Sequence, residues 1–154
     1  MSYYFLVSSA LVKRYLVERG TSWVRRLVAP ERGHALIIAQ ITPVEIVSAT
    51  MRQQREGRLT VHEAQLARLL IDRHVRHEYV AINMTDRVIH DAEDLLALHP
   101  LRAYDAIQLA SALEAQARFA ALSTLPFIFV SADQRLLTVA TARGLVTDDP
   151  NLHL

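Results

Sequence analysis

Three acidic residues have the positions that phosphodiester chemistry needs. Glu45 falls in the first turn of an expected helix that follows a short apolar run, and Asp105 opens a long Ala-rich helix. Asp133 stands two residues past the end of another apolar run, Pro126–Ser131. In an open parallel sheet, ligands bind beyond the carboxyl ends of the strands, where the strand order reverses. Three loops would deliver three carboxylates to that edge. Each has an ordinary explanation, since acids are stabilised at helix N-termini by about 0.3–1 kcal/mol and Asp133 could simply cap its helix. Gathered together, however, like charges repel unless something neutralises them. An all-oxygen set suits Mg²⁺ or Mn²⁺. Its chemistry would be metal-assisted hydrolysis, in which the ion activates water and stabilises developing charge.

The elements that must position these acids alternate between short apolar runs and stretches of helical period. Strands are predicted over Tyr3–Val7, Ala35–Ala39, Glu78–Ile82, Pro126–Ser131 and, more briefly, Leu145–Thr147. Helices are predicted over Ser9–Val17, Ser22–Val28, Pro43–Arg55, Val61–His77, Thr85–Leu98, Arg102–Phe119 and Asp133–Ala142. Pro43 suits a first helical turn. Thr60-Val61-His62-Glu63 has capping-box spacing, and Gly144 is placed as a stop. Strands apolar on both faces and separated by helices imply a parallel sheet covered on both sides. The fold class is therefore α/β, a three-layer α/β/α arrangement around four to five parallel strands. One domain is expected over residues 1–154.

Composition narrows the setting. The chain has 154 residues, a formal charge of +1, no cysteine and 51% hydrophobic residues with few aromatics. A domain of this size buries roughly 70% of its unfolded surface and needs no staples. Disulfides and thiolate–zinc sites are excluded, and near-neutral charge excludes a uniformly basic nucleic-acid coat. Lys13 and Arg14 follow the first apolar run instead of preceding it, the reverse of a secretory signal. No apolar stretch is long enough to span a bilayer. A cytoplasmic location is expected, with no membrane partner.

The order of motifs resembles a known family. Phe5-Leu6-Val7-Ser8-Ser9-Ala10-Leu11-Val12-Lys13-Arg14-Tyr15 looks like the opening of PIN-domain ribonuclease toxins of the VapC type. Pro43-Val44-Glu45, Tyr104-Asp105-Ala106-Ile107-Gln108-Leu109-Ala110 and Phe129-Val130-Ser131-Ala132-Asp133-Gln134-Arg135-Leu136-Leu137 continue it in the family's order. The resemblance implies a PIN fold with an acidic Mg²⁺ or Mn²⁺ pocket that cleaves RNA. Glu45, Asp105 and Asp133 would be the catalytic and metal-binding acids, with Ser9 and Ser131 as supporting hydroxyls. It further implies a cognate antitoxin and a homodimer or toxin–antitoxin hetero-oligomer. The departure is Val7, which stands where the family has its first aspartate. Valine suits a buried strand but ligates no metal, so weak metal binding and little or no cleavage are expected.

Other residues carry lesser readings. Lys13, Arg14, Arg52 and Arg55 are candidate RNA contacts, against solvated helix faces as the ordinary reading. His74 and His77 are read as surface residues near a helix C-terminus, and Asp91, Glu93 and Asp94 as a solvated acidic face. The alternative function is a non-catalytic PIN-type module that binds RNA or protein. A receiver domain or a haloacid-dehalogenase-like phosphatase fits poorly, because Ile82-Asn83-Met84 and Val7-Ser8-Ser9 lack the aspartates those folds require.

Overall fold

In a computed structural model describing residues 1–154, five strands form one sheet: β1 (Tyr3–Leu6), β2 (Ala35–Ala39), β3 (Tyr79–Ile82), β4 (Phe127–Val130) and β5 (Val146–Asp148). All neighbours pair in parallel and the spatial order is β3-β2-β1-β4-β5. The chain winds outward from β1 in one direction, then returns to its other side. The carboxyl end of β1 is thus the switch point, and Val7 immediately follows it.

Side-chain alternation divides the core between the two faces of the sheet. Phe5, Val7, Ile37, Ala39 and Phe129 point toward α5 (Asp86–Leu98), α6 (Ala103–Ala120) and α7 (Gln134–Ala142). Leu6, Leu36, Ile38 and Val130 point toward α1 (Ser8–Leu11), α2 (Thr21–Leu27), α3 (Thr42–Arg55) and α4 (Val61–His77). Phe5 and Phe129 stack across the strand pair with ring centroids 5.8 Å apart. Burying Val7 at 2% exposure stabilises the fold by about 1.5–3 kcal/mol. No helix is long and apolar enough to cross a membrane.

Local signals placed most elements correctly. The capping box forms in full: Thr60 Oγ1 accepts from the Glu63 amide at 3.1 Å, and Glu63 accepts from the Thr60 amide at 2.7 Å. The first helix is the main departure. Ser9–Val17 was expected, but α1 stops at Leu11 and a 3₁₀ turn over Val12–Arg14 follows. That tightening turns Lys13 inward to Glu18 at 2.8 Å and carries Leu16 into the core, while Val17 stays outside. The polar tail also has structure. Pro150–Leu152 forms a 3₁₀ turn against the start of α2, and His153 stacks on Trp23 at 4.3 Å.

Gly20 makes that docking possible. Its φ is +86°, and an added Cβ would lie 2.6 Å from the Pro150 carbonyl oxygen. A Gly20→Ala substitution is therefore expected to cost about 2 kcal/mol, from left-handed backbone strain together with the clash. Urea denaturation reads this as a lowered midpoint at unchanged slope.

Candidate active site

The site is assembled at the switch point from four elements. Val7 follows β1 as the N-cap of α1, Glu45 lies in the first turn of α3, Asp105 in the first turn of α6, and Asp133 caps α7. The field of Asp133, and more weakly that of Glu45, reaches Asp105. The expected carboxylates therefore share one edge of the sheet.

Glu45 is clamped by neutral donors. Ser8 Oγ donates to its Oε2 at 2.9 Å, and Gln108 Nε2 donates to its Oε1 at 2.8 Å. Gln108 also donates to Thr42 Oγ1 at 2.9 Å. Gln108 is 1% exposed and Thr42 fully buried, so this network bridges α3 and α6 inside the protein. Hydrogen bonds to a charged group are each worth about 1.5–3 kcal/mol, and both carboxylate oxygens receive one here.

A second network fixes Asp133. The Ser9 and Ser131 hydroxyls lie 3.2 Å apart. Ser9 Oγ accepts from the Ala132 amide at 3.0 Å, and Ser131 Oγ accepts from the Asp133 amide at 3.1 Å. Asp133 Oδ1 in turn accepts from the amides of Arg135 and Leu136, satisfying the start of α7. The capping reading and the site reading of Asp133 thus hold together.

Asp105 differs from both. It is half-buried, and its carboxyl is pushed above the usual aspartate range, chiefly by burial and then by Asp133, against the opposing pull of Arg102.

These residues do not fit a divalent cation as they stand. No three Asp, Glu, His or Cys side chains lie close enough to hold one ion between them. Val7 supplies no donor, Glu45 already has two partners, and one Asp133 oxygen serves its helix.

Sequence reasoning missed Ser8, Thr42 and Gln108. Gln108 carried a usable signal: it is an amide on the buried face of α6, three residues beyond Asp105 and so on the same side of the helix. The predicted basic contacts are redistributed. Lys13 is buried against Glu18, and Arg14 is held by Glu78 at 2.7 Å and by Tyr79 Oη at 2.6 Å. Neither is free for a phosphate. Arg52 and Arg55 are exposed at the far end of α3. His74 is a correction too. It is half-buried, with Nδ1 2.8 Å from Tyr15 Oη, because the Arg14–Tyr15–Tyr79 cluster draws that helix face inward.

The fold has relatives among solved structures. VapBC2 from Rickettsia felis, bound to a DNA fragment from its promoter, includes a chain that superposes with a TM-score of 0.65 at 10% identity. The match covers 96% of this chain and 98% of that one. FitAcB from Neisseria gonorrhoeae gives 0.61 at 12% identity over 98% and 99% of the two chains. PAE2754 from Pyrobaculum aerophilum gives 0.62 at 17%, over 95% and 83%. The fold is of the PIN type. At these identities the likeness is one of fold, and the PIN-type sheet edge is where the acids gather. No family model matches the sequence, and no curated protein matches it.

Asp105 gives a direct electrostatic test. A carboxyl whose folded pKa is raised binds its proton more tightly folded than unfolded. Stability is therefore fully present below the ordinary aspartate value of 3.8 and falls as pH rises through the raised folded pKa. Asp105→Asn is expected to raise Tm at pH 7, with the advantage vanishing below about pH 4. Thermal melts across pH 3–8 check it.

Proposed function

We propose that this chain is the ribonuclease-type member of a toxin–antitoxin pair, with its hydrolytic site disabled by Val7. The observation that supports this reading is that Glu45 and Asp105, in the first turns of α3 and α6, and Asp133, the cap of α7, accompany Val7 in a PIN-type fold whose switch point is the end of β1. Every motif position is present at that edge except the first acid. With valine there, the set lacks a central ligand for Mg²⁺ or Mn²⁺, so metal binding is weak and RNA hydrolysis is lost or strongly reduced. A cytoplasmic location belongs to the same reading.

The partner in this reading is a cognate antitoxin, in a hetero-oligomer or beside a homodimer. Support comes from α4, which leaves Leu66, Leu69 and Leu70 between 47% and 67% exposed. An apolar row of that kind on a helix is suited to cover by another chain. A second reading, a non-catalytic PIN-type module for RNA or protein, is favoured by the Glu45 clamp, which satisfies the site without any cation.

Restoring the acid separates the two. Val7→Asp is expected to raise Mg²⁺-dependent cleavage of total RNA by at least about a hundredfold over the native chain, and EDTA should abolish it. A folded Val7→Asp protein, verified by its melting transition in Mg²⁺, that still leaves RNA intact would favour the binding module.

A further inference from the structure

The sheet edge carries two cations that the acid cluster does not use. Arg102 is the N-cap residue of α6, three positions before Asp105, and its side chain caps nothing. Arg135 stands in the first turn of α7, two positions after Asp133. Both are exposed, and neither takes part in any of the chain's ion pairs. As the N-cap, Arg102 precedes the first turn of α6, the turn that holds Asp105. Each cation thus stands at the N-terminal end of a helix that carries one of the acids, Arg102 with Asp105 on α6 and Arg135 with Asp133 on α7. Tyr104, two positions after Arg102, is 59% exposed and packs on no other aromatic ring.

The other candidate cations lack this placement. Lys13 and Arg14 are consumed in buried pairs. Arg52 and Arg55 lie seven and ten residues along α3 from Glu45, roughly 10 and 15 Å by helical rise. A polyanion approaching three carboxylates is repelled unless cations flank them. Guanidinium groups free of carboxylate partners match phosphate oxygens in a two-pronged geometry. An exposed aromatic ring two positions from a cation offers what a single strand needs, because every base has a π-face.

We propose that Arg102, Tyr104 and Arg135 form a landing site for single-stranded RNA at the rim of the acid cluster. Each guanidinium takes a backbone phosphate, and the Tyr104 ring stacks a base. An acidic peptide would use the two cations but gain nothing from the ring. The assignment rests on the ribonuclease reading for its purpose, but binding is measured on the native Val7 chain and requires no cleavage. Cleavage by Val7→Asp with an indifferent patch would sink this inference alone. A working patch without cleavage would sink only the other.

The test is fluorescence anisotropy with a labelled, mixed-sequence single-stranded RNA oligonucleotide across a salt series. Arg102→Gln and Arg135→Gln are each expected to weaken binding about tenfold and to shallow the salt slope by about 0.7. Tyr104→Ala should weaken it about tenfold while Tyr104→Phe retains it. Arg143→Gln, at the other end of α7, should change nothing, and unchanged Tm values confirm that the exposed variants fold. Absence of RNA binding by the native chain overturns the proposal. So does equal affinity among the variants, or a preference for poly-glutamate that depends on the two arginines and ignores Tyr104.

Discussion

Carboxylates brought to one end of a parallel sheet repel one another, and a fold that gathers them must supply compensation. Here the compensation for Glu45 is a pair of neutral hydrogen-bond donors, Ser8 from the end of β1 and Gln108 from the interior of α6. Gln108 reaches Glu45 only because α6 crosses the sheet beside the start of α3, with Thr42 holding the amide in line. Asp133 is compensated by the amides of its own helix, and the Ser9–Ser131 pair ties that loop back to β1. Asp105 receives no such help and carries the residual strain as a raised pKa. The arrangement is a site held in shape by protein donors.

Val7 has two consequences from one substitution. Its side chain joins the apolar cluster beneath α5, α6 and α7, where a carboxylate at 2% exposure would stand desolvated beside other acids. Burying an unpaired charge there is costly unless a cation offsets it. In the proposed reading, the core contact that Val7 makes comes at the expense of a ligand, an opposition between stability and activity.

How much of this was legible in the sequence depended on distance along the chain. The Thr60–Glu63 capping box is a local reciprocal bond and was readable from four residues. The sheet was readable because its strands are apolar on both faces. The placement of Glu45 and Asp133 at one edge followed from the topology of a parallel sheet, since each opens or caps the helix directly after a strand, whereas Asp105 opens α6, which follows another helix. What depended on tertiary contact was not visible. Lys13 read as a phosphate-binding cation until Glu18, across the turn, proved to be its partner. The helix expected through Val17 gave way to a 3₁₀ turn for the same reason. The docking of the tail on Trp23 through His153 pairs residues 130 positions apart, beyond any periodicity argument.

The central claim is that the acids at this sheet edge hold no divalent ion without a carboxylate at position 7. Calorimetric titration of Mn²⁺ measures this most directly. The account predicts no saturable uptake by the native chain, and uptake of one ion per chain by the Val7→Asp protein that is lost when Asp105 is also replaced by Asn. Stoichiometric, saturable binding of Mn²⁺ by the native chain at this pocket would contradict it.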